Sequence, residues 1–393
     1  MSLLAIDPAH PHASEPVGLY VHVPFCARLC SYCDFYKLEG RPEVHAAFVE
    51  ALAREISAMG RELASHGVTP RVDSIYLGGG TPTSLGAPHL DRILRDLERS
   101  FQVDAFAEVT VECNPDDATP ELLGGLVASG CDRISIGVQS LDEAELRLLG
   151  RTHSAAGARA AVAIAREAGF ANVSVDVIVG LPGQTEAGAL RTIEGTLALR
   201  PSHVSAYLLE LDKETPIRRS IESGMLPAPG DEESAAIYRS VGSALAGAGL
   251  PAYEISSFAP ENRRSRHNLK YWTDAPYLGF GPSAASYWGN RRMTRRPSLT
   301  AFLEDAGRLE PRSFAVEERS GDAALADALM LGLRARDGVS VGRLVARHGG
   351  SGRLNALLEE MIADGLLERA GERIRIGDEL LPVANFVFER LVG

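Results

Sequence analysis

The stretch His22-Val23-Pro24-Phe25-Cys26-Ala27-Arg28-Leu29-Cys30-Ser31-Tyr32-Cys33-Asp34-Phe35 decides how the rest of the chain is read. Its cysteines are spaced C-x3-C-x2-C and follow the strand-forming run 18–23, which puts them on a loop leaving a strand end. Three thiolates at this spacing can hold an iron–sulfur cube by three corners and leave the fourth iron without a protein ligand. An open iron can chelate the amino and carboxylate groups of S-adenosylmethionine, pass an electron into its sulfonium and release a 5′-deoxyadenosyl radical. Zinc is the competing reading, but structural zinc takes four closed ligands. The next cysteine, Cys113, lies 80 residues beyond Cys33 with no histidine-rich partner segment.

The bulk composition sets the frame for that loop. At 393 residues, 45% hydrophobic and 23% charged, the chain is globular and long enough for a barrel-sized domain plus a smaller one. Five cysteines, an odd number with three clustered, speak for a reducing, cytoplasmic setting in which thiolates serve a metal. Residues 1–16 lack a basic start and a sustained apolar run, and no segment approaches the roughly 20 apolar residues of a membrane span. A soluble protein with no transmembrane segment is expected, peripheral membrane contact being left open. A net charge of −12 argues against nucleic acid as a partner.

Beyond a flexible tail, 1–16, strand-like runs at 18–23, 74–77, 108–112, 133–138, 172–179 and 203–209 alternate with helical stretches such as 44–66, 87–101, 121–129, 155–168 and 187–199. Such alternation predicts parallel strands with crossover helices. Six units fit an open, partial (β/α)6 barrel over 17–250, an α/β fold whose chemistry gathers at the C-terminal strand ends. Residues 251–320 read as a loop-rich extension. In 321–393, helices at 323–336, 339–348 and 352–364 and a hairpin at 366–376 predict a mostly helical, winged-helix-like domain. Nine arginines against eleven acids and no lysine favour packing or a protein partner there over DNA.

The strand ends carry the informative motifs. Gly78-Gly79-Gly80-Thr81-Pro82-Thr83 permits close backbone approach, so its N–H and C=O groups can meet the ends of a bound methionine; a purely structural turn is the alternative. Val111-Glu112-Cys113-Asn114-Pro115 puts a carboxylate at the rim, and Gly137-Val138-Gln139-Ser140 adds an amide. Arg151 and His153 open the next helix. Asp176, in the apolar run 175–179, needs a partner or a ligand. Together these groups, set beside the thiol loop, predict a cofactor pocket. Cys113 and Cys131 read as small core residues.

These motifs resemble the radical S-adenosylmethionine proteins related to oxygen-independent coproporphyrinogen III dehydrogenase. The likeness rests on Tyr20–Cys26 with its C-x3-C-x2-C, GGGTPT, VECNP, GVQS, GRTH and DVIVGLPGQT, and runs over about residues 17–390. It implies a [4Fe–4S] cluster on Cys26, Cys30 and Cys33. It implies Tyr20, Gly79, Gly80, Thr81, Glu112, Gln139, Arg151 and Asp176 around S-adenosylmethionine, with Tyr32 against the adenine.

Three departures separate the branches of that family. The dehydrogenase has a further cysteine two positions after the third ligand, where this chain has Phe35, and a long segment before the cluster, where this chain has 25 residues. His267-Asn268-Leu269-Lys270-Tyr271-Trp272 matches H-N-x-x-Y-W, so the chain is similar to the heme-chaperone branch. That resemblance implies heme as cargo, with acceptor proteins and an electron-donor protein as partners. His267 could serve as an axial ligand, Tyr271 and Trp272 could stack on a porphyrin, and Arg263, Arg264 and Arg266 could meet propionates. The alternative is a segment whose aromatics pack on the barrel. The competing functions are oxidative decarboxylation of coproporphyrinogen III to protoporphyrinogen IX and another radical reaction, such as methyl transfer.

Overall fold

The computed structural model describes residues 6–350 and 352–392. Residues 1–5, the start of the expected tail, lie outside them. Eleven strands form one open sheet in the order Phe314–Glu318, Arg291–Arg295, Ala285–Trp288, Tyr277–Phe280, Val17–Val23, Arg71–Gly79, Gln102–Cys113, Arg133–Gln139, Asn172–Val179, His203–Leu208 and Ser257–Phe258. The run from Tyr277–Phe280 to His203–Leu208 is parallel throughout. Helices His45–Ser65, Ala87–Ser100, Pro120–Ala128, Ala155–Glu167 and Glu186–Ala198 make the crossovers. The six βα units of the partial barrel are those that the alternation predicts.

The stretch 251–320 is more regular than the sequence suggests. It adds one parallel strand and three antiparallel ones beyond Val17–Val23, and a short antiparallel strand at the opposite edge. These strands are only two to five residues long, and one of them, Arg291–Arg295, reads RRMTR. Charge and shortness hide them from an apolar-period search. Within the expected tail, two side chains sink into the fold while residues 7–9, 11, 14 and 16 are exposed. Ile6 and His12 are buried. His12 Nδ1 accepts from the Gly289 N–H (3.0 Å), and its Nε2 donates to the Asp274 carbonyl (3.2 Å).

The central strands have two unlike faces. Leu19, Val21, Ile75, Leu77, Val111, Ile134, Ile136, Val175, Val177 and Val204 enter one continuous apolar core with the helices. Residues alternating with them, among them Tyr20, Ser74, Tyr76, Glu108, Glu112, Ser135, Ser174, Asp176 and His203, make side-chain hydrogen bonds to one another and to residues 265–271. Period two therefore sorts these strands into an oily outside and a polar inside.

The C-terminal domain has its own core, with Leu329, Leu358, Met361, Ile374 and Phe388 buried in it. Helices Gly321–Gly332, Val341–His348 and Gly352–Ala363 are followed by the hairpin Leu367–Ala370 and Arg373–Ile376. A last helix, Ala384–Val392, which the sequence pattern does not predict, packs on Gly321–Gly332.

One ion cluster ties the extension to the first crossover helix. Arg295, 3% exposed, meets Glu55 Oε1 at 2.9 Å and also pairs with Asp305, while Glu55 Oε2 accepts from the Gly281 N–H at 2.8 Å. Removing one partner strands a buried charge. Glu55→Ala should lose about 3–5 kcal/mol in urea unfolding, and Glu55→Gln, which keeps the acceptor for Gly281, should lose less. Equal, small losses for both variants would mean that the pair contributes little.

Candidate functional site

The thiol loop is closed at its base by a parallel pairing of Phe25–Cys26 with Leu38–Glu39. Along its length, Ser31 donates from N to the Leu149 carbonyl (3.2 Å) and from Oγ to that of Leu148 (2.9 Å), and its own carbonyl accepts from the Ile217 N–H (3.0 Å). Tyr32, expected against an adenine, packs on Leu149, Ile178 and Leu181 at the mouth of the barrel. Cys26 is buried, and Cys30 and Cys33 are half-buried; all three are free thiols. Cys113 and Cys131 lie in the apolar core, where burial pushes both thiols up to about 12.

Among the described residues no three His, Cys, Asp or Glu side chains form a ready-made metal cage. The thiols are engaged instead with neighbours: Thr81 Oγ1 donates to Cys26 Sγ (3.6 Å) and Arg151 Nη1 to Cys30 Sγ (3.3 Å). The donor set fits an anionic cluster with an open corner. Its three thiols share one loop with hydrogen-bond donors around them, and Arg151 Nε is buried with no partner, as a group awaiting an anionic ligand would be.

The glycine turn behaves differently from the sequence expectation. The Gly79 N–H donates to Glu112 Oε2 (3.1 Å), that of Gly80 to the Val23 carbonyl (2.8 Å) and that of Thr81 to the Phe25 carbonyl (2.7 Å). Whatever this turn offers a methionine end therefore comes from carbonyls and not from its N–H groups. Glycine is needed here for closeness: a Cβ on Gly80 would stand 2.8 Å from the Phe25 oxygen, and one on Gly79 2.7 Å from the His22 ring. Glu112 is also held by Tyr76 Oη (2.9 Å), and burial pushes its carboxyl up to about 7.

Asp176 receives Ser135 Oγ at 2.8 and 3.0 Å and Ser174 Oγ at 3.4 Å, which answers the cost of an acid in an apolar strand. Gln139 sits on a bulge at the end of its strand with φ 66°, and Arg151 Nη2 donates to the Gly137 carbonyl beside it (3.0 Å). Tyr20 Oη meets His22 Nδ1 at 3.0 Å. Tyr20, Tyr76, Glu112, Gln139, Arg151 and Asp176 are all partly exposed at the open end, whereas Ser74, Glu108, Arg133, Ser174 and His203, nearer the base, are buried.

The base is filled by the helix Arg266–Trp272, and here the structure corrects the sequence. His267 was expected to offer a nitrogen to heme iron. It is fully buried, Nδ1 against Ser74 Oγ (3.2 Å) and Nε2 against Tyr271 Oη (3.0 Å). Both nitrogens are thus committed, and an axial ligand needs a bare one. Glu108 caps this helix, accepting from the N–H groups of Arg266 (3.2 Å) and His267 (3.1 Å). Trp272 faces the Arg334 guanidinium of the C-terminal domain at 5.6 Å. Arg266 donates to the Phe106 carbonyl (2.7 Å) and Arg264 pairs with Asp337 (2.8 Å), so neither waits for a propionate. The cavity beside Tyr271, about 40 Å³, has room for water but not for a porphyrin.

Asn114, Tyr76, Ser135 and Glu108 also belong to this polar set, holding Arg151, Glu112, Asp176 and the helix Arg266–Trp272 respectively, although no motif in the sequence singles them out. Their signal was the polar alternation within runs that look merely strand-like.

Comparisons with known proteins bear on the family and the fold. Residues 20–194 match the model of the radical SAM superfamily and residues 320–379 that of the HemN C-terminal domain. The chain is 33% identical over 391 residues to the heme chaperone HemW of Mycobacterium tuberculosis, covering 98% of this chain and 96% of that one. The chain belongs to the HemW family. The Bacillus subtilis heme chaperone HemW is 32% identical over 95% of this chain and 98% of its own. The mitochondrial radical S-adenosyl methionine domain-containing protein 1 of Bos taurus is 38% identical over 83% and 75%. The solved coproporphyrinogen III oxidase (HemN) from Escherichia coli superposes with a TM-score of 0.82 over 99% of this chain and 92% of its own at 23% identity, a likeness of fold. Membership of the HemW family carries with it the expectation of a [4Fe–4S] cluster and S-adenosylmethionine.

Burial pushes His267 and His12 down to about 3, helped by Lys270 and His10 respectively. Both are neutral in the fold but titrate near 6.5 when unfolded. A depressed histidine contributes stability fully present above the unfolded value and lost as pH falls from about 6.5 toward the folded value, by about 1.4 kcal/mol per pH unit for each. Glu112 acts in the opposite sense, so the informative quantity is a difference. Between pH 6 and 4.5 the stability of His267→Asn should fall less steeply than that of the wild type by about one proton. Parallel curves would place His267 in a site where it can be protonated.

Proposed function

We propose that this chain is a cytoplasmic heme chaperone that binds heme and passes it to acceptor proteins. It carries a [4Fe–4S] cluster on Cys26, Cys30 and Cys33 with S-adenosylmethionine in the open upper half of the barrel. The observation that carries this reading is HemW likeness along 98% of the chain. Phe35, 63% exposed, stands where the dehydrogenase branch has a further cysteine. When bound, the cluster and S-adenosylmethionine supply one-electron chemistry at the sulfonium. The chain's own residues bind and orient: Glu112 and Asp176 present carboxylates to the cofactor's polar end, Gln139 offers an amide and Arg151 its unpaired Nε. Among the described residues no helix is long and apolar enough to cross a membrane.

Decarboxylation of coproporphyrinogen III, with four carboxylates, would ask for several cations facing the pocket. Among the described inner-face arginines, Arg133 is engaged with the Arg263 carbonyl (3.0 Å) and Arg151 with Cys30 and Gly137, which leaves the single Arg151 Nε for an anion, too few cations for four carboxylates.

Offered heme and coproporphyrinogen III in parallel under anaerobic conditions, the reconstituted protein should take up heme, followed by absorbance, and form no protoporphyrinogen. Decarboxylation without heme uptake would reverse the assignment. In the same preparation Cys26→Ala, Cys30→Ala and Cys33→Ala should each abolish the iron–sulfur absorbance, and Cys113→Ala and Cys131→Ala should retain it. Glu112→Ala and Asp176→Ala should keep the cluster but bind S-adenosylmethionine at least tenfold more weakly, about 1.4 kcal/mol or more. Unchanged affinity would return both acids to a structural role.

A further inference from the structure

Asn114 touches neither Cys26 nor Cys30, yet its amide stands between the two side chains that do. Its Oδ1 accepts from Arg151 Nη2 (2.6 Å), and its Nδ2 donates to Thr81 Oγ1 (3.1 Å). Thr81 Oγ1 in turn donates to Cys26 Sγ (3.6 Å), and Arg151 Nη1 to Cys30 Sγ (3.3 Å). The chain Cys26–Thr81–Asn114–Arg151–Cys30 therefore joins two thiols through residues from two strand ends, Thr81 and Asn114, and from the loop after the helix Glu143–Leu148, Arg151.

Its directions are fixed by what each group can do. A guanidinium has only donors, so the amide oxygen must face Arg151 and the NH2 must face Thr81. The Thr81 hydroxyl then accepts, and its single hydrogen is left for the Cys26 sulfur. Asn114 is itself held: it caps the turn Pro115–Asp117 at the end of the strand Gln102–Cys113 with extended φ and ψ, and its carbonyl accepts from the Asp117 N–H (3.0 Å). The Gly137 carbonyl holds the other side of Arg151 Nη2 at 3.0 Å.

We propose that Asn114 is a positioning residue of the cluster site, aiming the Thr81 hydroxyl and the Arg151 guanidinium at the sulfurs of Cys26 and Cys30. This rests on the assignment of the three loop cysteines as cluster ligands. Hydrogen bonds to cluster sulfurs stabilise the more negative, reduced state and raise its potential, and outer-shell partners of this kind tune a metal site without touching the metal.

The test compares wild type, Asn114→Ala and Asn114→Asp after anaerobic reconstitution, by iron content, midpoint potential and the EPR g values of the reduced cluster. Iron content and melting temperature should stay close to wild type. Asn114→Ala should lower the potential and shift the g values, because both donors lose their guide. Asn114→Asp keeps the acceptor for Arg151 but takes the Thr81 hydrogen to its own carboxylate. It should therefore show a smaller fall, matched by Thr81→Val and not deepened when the two are combined. In cluster-free protein, iodoacetamide should label Cys26 and Cys30 more slowly in Asn114→Ala than in wild type, because donors aimed at the two sulfurs favour the reactive thiolate. Wild-type potential and g values in both variants would overturn the proposal. If wild type assembles no cluster on the three cysteines, the cluster assignment fails by itself, and labelling rates unchanged by Asn114→Ala then overturn the role of Asn114 independently.

Discussion

Glu108 and His267 close the base of the barrel's polar inner face, and the partly exposed polar groups above them depend on that closure. Six strands turn alternate polar side chains inward, and a buried polar group without a partner costs about 1–3 kcal/mol. The helix Arg266–Trp272 supplies the partners. Its first N–H groups end on the Glu108 carboxylate, His267 spans Ser74 and Tyr271, and Lys270 reaches Asp73 (2.8 Å) and the Pro16 carbonyl (2.9 Å). Gly18 makes room for this plug, since a Cβ there would meet the Lys270 side chain at 2.7 Å. With the lower layer satisfied, the upper layer of Tyr20, Tyr76, Glu112, Gln139 and Asp176 faces an open mouth beside the thiol loop.

The same helix is a mechanical link. From His267 inside the barrel it runs to Trp272, which meets Arg334, and Arg334 in turn lies over the Phe388 ring at 4.5 Å. Two residues after the helix, Asp274 receives Tyr287 Oη (2.7 Å), His348 Nε2 (2.8 Å) and Arg347 Nη1 (3.1 Å). Burial works against its charge, but these hydrogen bonds outweigh it and hold the carboxyl below its ordinary range. The H-N-x-x-Y-W segment is therefore explained by the fold it holds together, the barrel base on one side and the C-terminal domain on the other.

Much of the barrel is legible in the sequence because its outer face is continuous Val, Ile and Leu at period two, and the helices between carry a clear apolar stripe. The thiol loop is legible because spacing alone restricts its chemistry. What stayed hidden has physical reasons. Arg291–Arg295 forms a strand through its antiparallel neighbours, which no local pattern reports. The N–H groups of Gly79, Gly80 and Thr81 look available until the first strand and Glu112 are seen to take them. His267 looks like a ligand because its sequence neighbours are aromatic and basic, but one of these, Tyr271, takes its Nε2, and Ser74, far away along the chain, takes its Nδ1.

On the proposed function, three thiols from one loop would hold a cluster that S-adenosylmethionine meets in the upper half of the barrel. The most direct measurement is the EPR spectrum of the reduced, reconstituted cluster before and after addition of S-adenosylmethionine carrying 15N at its amino group. A changed g tensor with hyperfine coupling to the label is the predicted result. A spectrum indifferent to S-adenosylmethionine, with the cluster fully loaded, would contradict it.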